Sequence, residues 1–71
     1  MIMKSVKNKI EAFIEKIKEE IEDREIKFDD HSSKWQESEN GENYQDKTVE
    51  LQNVFDNLEM TLDGIKIYLG V

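Results

Sequence analysis

IEAFIEKIKEEIEDREIKFDDHSSKW, residues 10–35, and YQDKTVELQNVFDNLEMTLDGIKIYL, residues 44–69, decide the fold. In the first, Ile10, Ile14, Ile17, Ile21, Arg24, Phe28, His31 and Trp35 follow one another in alternating steps of four and three. In the second, Tyr44, Thr48, Leu51, Phe55, Leu58, Leu62, Ile65 and Leu69 do the same. That spacing holds side chains on one stripe of a helix and is the seam of a coiled coil. Thirteen of the sixteen positions are apolar, and the residues between them are mostly charged or amide. Each segment therefore reads as a helix with one face made for a partner.

The link between the runs is short. Asn40-Gly41 is a turn pair, and Gly41 is suited to end a helix in the left-handed conformation. Asn43 can cap the next helix, with Asp46 inside its first turn. Helices joined so closely run antiparallel. The expectation is an all-α fold, an antiparallel two-helix coiled-coil hairpin forming one domain over residues 1–71. Helix 1 covers about 4–38, the turn about 39–43 and helix 2 about 44–69. Layers then pair Trp35 with Tyr44, His31 with Thr48, Phe28 with Leu51 and Arg24 with Phe55, out to Ile10 with Leu69. A slip of a few residues follows if helix 1 runs on to Asn40. Trp35 closes the turn end as an aromatic plug. On the solvent face Glu20 and Arg24, and Asp23 and Lys27, have the acid-before-base spacing that supports a helix. Gly64 weakens helix 2 locally, and the alternating tail Ile65–Leu69 stays helical because Ile65 and Leu69 keep phase with the seam.

A chain of 71 residues buries little of its surface on its own. It has no cysteine, so neither a disulfide nor a thiolate metal site can staple it. Two helices make a single seam. Val6, Phe13, Val54 and Tyr68 fall on one flank of that seam and widen the apolar stripe, while Ile26, Met60 and Ile67 fall on the far sides of their helices. Self-association follows: a homodimer forming a four-helix bundle, or a higher even-numbered assembly. The opening residues build no uninterrupted apolar stretch, so neither a signal peptide nor a membrane span is expected. A soluble, cytoplasmic protein is the expectation.

Charge narrows the function. Of the residues, 38% are charged and the net charge is −7. Residues 1–18 carry Lys4, Lys7, Lys9, Lys16 and Lys18 against Glu11 and Glu15. Residues 36–63 carry eight acids against Lys47 alone. That acidic half argues against general nucleic-acid binding. No catalytic arrangement is present: His31 has neither a nucleophile elbow nor a second histidine at ligand spacing, and there is no phosphate loop or calcium loop. The chain reads as a non-enzyme without metal or cofactor.

Three polar residues interrupt the seam: Arg24, His31 and Thr48. Their simplest role is to fix register and partner choice. A sharper one groups Arg24, His31, Lys34, Trp35, Tyr44 and Lys47 at the turn end, where cations beside aromatic rings suit a small anionic, nucleotide-like ligand.

Phe28, His31-Ser32, Trp35-Gln36, Ser38-Glu39, Gly41, Tyr44, Thr48 and Leu51, at their spacings, resemble a pattern in short phage- and prophage-borne proteins that are small helical hairpins. Many members have an arginine where this chain has His31. The resemblance covers about a third of the chain, and it implies mobile-element biology without a mechanism. In architecture the chain is also similar to the plasmid-encoded dimeric hairpin that binds paired RNA loops.

The expected function is a small protein-interaction module, a phage-derived modulator or inhibitor of a host protein. Ile26, Met60 and Ile67 beside an acidic helix would form its docking face. An oligomeric binder of a nucleotide-like anion is the alternative. RNA binding through the lysine-rich start is a further one.

Overall fold

The heptad pattern yields two long helices: the computed structural model, which describes residues 2–71, consists of α1 (Ile2–Asp30), a single-turn α2 (Ser33–Gln36) and α3 (Glu39–Leu69). No strand occurs among the described residues. α1 and α3 pack side by side as a rod with Cα extents of 52 × 15 × 14 Å. The all-α hairpin is as the sequence indicates, and so is the seam. From Ile10 to Phe28 on α1, and from Tyr44 to Leu69 on α3, the stripe residues are the ones turned from solvent.

The turn differs from expectation. α1 stops at Asp30 rather than near residue 38, because Gln36 folds back and its Nε2 donates to the Phe28 carbonyl at 2.9 Å and the His31 carbonyl at 3.1 Å. The Phe28 carbonyl, which also accepts from the His31 N–H at 3.2 Å, lies in the last turn of α1, where the usual i+4 partners run out. Ser32 is extended and its Oγ accepts from the Trp35 N–H at 3.2 Å, starting α2. Ser38 is extended too, and its Oγ accepts from the Gly41 N–H at 3.3 Å, starting α3 with Glu39 and Glu42 in the first turn. Acids there meet the positive end of the helix dipole. Asn40-Gly41 is therefore not the turn and Asn43 is not the cap; all three lie inside α3. The only described residue with positive φ is Gly70, at 76°, which ends α3 as its Gly70 N–H donates to the Ile67 carbonyl at 3.2 Å.

Gly41 serves proximity instead. A Cβ at this position would collide with the Trp35 carbonyl oxygen and lie 2.6 Å from that of Gln36. Glycine lets α2 rest directly on the first turn of α3.

The register also differs. Arg24 Nε donates to Thr48 Oγ1 at 2.9 Å, and the Phe28 and Tyr44 rings stack with centroids 6.5 Å apart. Arg24 thus faces Thr48 rather than Phe55, a slip of seven residues, or one heptad. A one-heptad slip preserves the apolar stripe, so apolar pattern alone does not choose between the two registers. Polar seam residues choose. The observed register sets Arg24 against Thr48, whereas the expected one sets a guanidinium against the Phe55 ring. His31 consequently leaves the seam and is exposed beyond the end of α1.

Asp23 and Lys27 form the expected ion pair at 2.9 Å, and Lys7 pairs with Glu11 at 2.8 Å. Glu20 does not hold Arg24, whose side chain turns inward.

Candidate functional site

The turn end collects most of the polar and aromatic chemistry. Arg24 leaves the last turns of α1 and reaches across the seam. Its Nε donates to Thr48 Oγ1, its Nη2 donates to the Tyr44 carbonyl at 3.0 Å, and its guanidinium carbon lies 4.0 Å from the centre of the Tyr44 ring. A cation over an aromatic face contributes about 0.5–2 kcal/mol, more as water is excluded. Thr48, at 7% exposure, is the most buried side chain of the seam, and its hydroxyl in turn donates to the Tyr44 carbonyl at 3.2 Å. Every buried polar side-chain atom among the described residues has a partner.

Above this clamp lies an aromatic stack. Trp35, carried by α2, sits 5.9 Å from Phe28 and meets Tyr44 edge-on at 5.8 Å. His31 stacks flat on the Trp35 ring, with centroids 3.7 Å apart and planes 18° from parallel. Such aromatic pairs contribute about 0.5–1.5 kcal/mol each beyond their burial. Ser38 Oγ donates to the Trp35 carbonyl, so one hydroxyl both caps α3 and holds α2.

Of the six residues expected to meet a small anion, the structure gathers four: Arg24, His31, Trp35 and Tyr44. Lys34 and Lys47 are exposed and form no ion pair among the described residues. The guanidinium is turned into the hairpin and engaged by two protein acceptors. The cluster's chemistry is that of a clamp. Sequence reasoning overlooked Gln36, Ser38 and the close approach at Gly41, although Ser38 followed by Glu39 and Glu42 carries the signature of a helix start.

The expected interface residues split into two sets. Val6, Phe13, Val54 and Tyr68 flank the seam, with Phe13 at 53%, Val54 at 45% and Tyr68 at 74% exposure. Ile26, Met60 and Ile67 are exposed on the outer sides. They do not make one patch: Ile26 lies near the turn on α1, whereas Met60 and Ile67 lie toward the far end of α3.

Two charges respond to their neighbours. A hydrogen bond from Lys7 holds the Glu11 carboxyl below the usual range, and the hydrogen bond to Asp23 raises Lys27 above its ordinary value. Both sit on solvent-facing turns, so they support α1 without forming a site. No helix among the described residues is long and apolar enough to cross a membrane.

Comparison with known proteins gives no matching family model, no matching curated protein and no matching solved structure.

Proposed function

We propose that this chain is a small non-enzymatic interaction module, a hairpin that completes its core by pairing with a second copy and works by docking on another protein. The observation that carries this reading is incomplete burial. Of the thirteen apolar seam residues only Ile65 is buried, while Phe13, Met60, Ile67 and Tyr68 are more than half exposed. A globular monomer of 8.4 kDa exposes roughly 4,600 Å² by the scaling of surface with mass, whereas this hairpin exposes 5542 Å². The difference is close to the ~800 Å² that each partner contributes to a standard interface. A four-helix bundle of two hairpins supplies that cover.

The resemblance of residues 28–51 to phage-borne hairpins is in keeping with mobile-element biology, and a host protein is the partner we propose. With self-association on one face, the outer stripe of Met60 and Ile67 on the acidic α3 remains for that partner, suiting a groove with basic margins. A nucleotide-like ligand at the turn draws less support, because Arg24 already spends two donors inside the protein. RNA binding draws less still from a chain of net charge −7.

Sedimentation equilibrium of the untagged chain at tens of micromolar tests the assembly. The expected mass is twice 8.4 kDa; a monomer mass overturns the reading. For the docking surface, affinity capture from host lysate should return a specific protein that Met60→Asp and Ile67→Asp lose. Equal capture by wild type and both variants removes the outer stripe from the account.

A further inference from the structure

Resting on the dimer reading, we infer that the two hairpins pair through the Val6–Phe13–Val54–Tyr68 flank, aligned with their turns at the same end, so that α1 of each lies on α3 of the other. The two flanks of the seam are chemically different. On one, every heptad position is polar, from Lys4 to Glu25 on α1 and from Gln45 to Lys66 on α3. That side is bridged by Gln52 Nε2 donating to Glu25 Oε1 at 3.2 Å. On the other, the column on α1 reads Val6, Phe13, Glu20, Lys27 and that on α3 reads Lys47, Val54, Thr61, Tyr68. In an antiparallel pair these two columns border the same face. Its apolar half lies away from the turn and its charged half beside it.

That division along the rod sets the orientation. Two copies meeting face to face about a twofold axis either share the direction of their turns or oppose it. With turns opposed, α1 lies on α1 and α3 on α3. Phe13 then falls level with Glu20 of the partner subunit, Tyr68 meets the charged end, and the acidic α3 rests on a second acidic α3. With turns together, Phe13 falls between Val54 and Thr61 of the partner subunit, and apolar meets apolar. A face whose Cα extents are 52 by 15 Å leaves room for the roughly 800 Å² that each partner contributes to a standard interface.

The test exploits a chain without cysteine. A single nitroxide on Ser33→Cys, an exposed turn-end position, reports the distance between the two turns by pulsed dipolar spectroscopy. Turns together place the labels within roughly 30 Å, given helix axes about 10 Å apart. A dimer with labels near the 52 Å length of the rod overturns the alignment and leaves the dimer standing. A monomer mass with no dipolar coupling overturns both. By sedimentation at the same concentration, Phe13→Asp is expected to lose the dimer mass and Met60→Asp to keep it; the reverse pattern moves the interface to the outer stripe and overturns the inference.

Discussion

At the scale of single residues, two glycines of the same helix have opposite consequences. Gly41 sits where a Cβ would strike the α2 backbone, whereas Gly64 has no neighbour within 4 Å of where a Cβ would be. Gly41→Ala should lower stability by about 1–3 kcal/mol, the usual cost of forcing atoms into a packed contact. Gly64→Ala should raise it by about 1 kcal/mol through helix propensity. Urea titrations at one fixed protein concentration check both signs. Arg24→Ala removes two charge-assisted hydrogen bonds and the contact with the Tyr44 ring, so it should cost about 2 kcal/mol. Combined with Thr48→Val it should cost less than the two single changes added, because they share one bond. Strict additivity would mean that the Arg24–Thr48 contact carries no energy.

At the scale of elements, the helices and their seam were legible because a four-three repeat has one physical reading. The register was not, since apolar layers look alike after a shift of seven. The discriminating feature was nonetheless present in the chain: matching the polar interruptions, Arg24 with Thr48, selects the observed alignment. The expected turn failed for a related reason. Asn40-Gly41 has the composition of a turn, yet the Ser38 cap and the Gln36 side chain place the reversal earlier. Phe28, Ser32, Trp35, Gln36, Ser38, Gly41, Tyr44 and Thr48 build that turn. Replacing both Arg24 and Thr48 by leucine should keep the helices while releasing the register, seen as doubled amide resonances. A single set of resonances in the wild-type arrangement would show that the turn alone fixes alignment. The Lys7–Glu11 pair adds a pH dependence. Because its carboxyl titrates below the usual range when folded, its support for α1 is present at neutral pH and lost as pH falls through that lowered value. Glu11→Gln should remove this acid-side decline in helicity; an unchanged decline would assign it to other carboxylates.

At the scale of the whole molecule, the hairpin is a thin rod whose seam stays half open along most of its length. Clamp and aromatic stack secure the turn end, but nothing comparable among the described residues covers the far end, where Val6, Phe13 and Tyr68 border the seam. The function proposed rests on that asymmetry: one flank closes against a second copy, and the outer faces are left for a different protein. If a second copy completes the core, folding and assembly are one equilibrium, and stability depends on protein concentration. The most direct measurement is thermal unfolding, followed by circular dichroism from about 1 to 100 µM, the range over which a dimer's midpoint should climb by mass action. A midpoint that rises steadily with concentration is the predicted result. A midpoint independent of concentration would mean that the single hairpin is complete in itself, and would contradict the account.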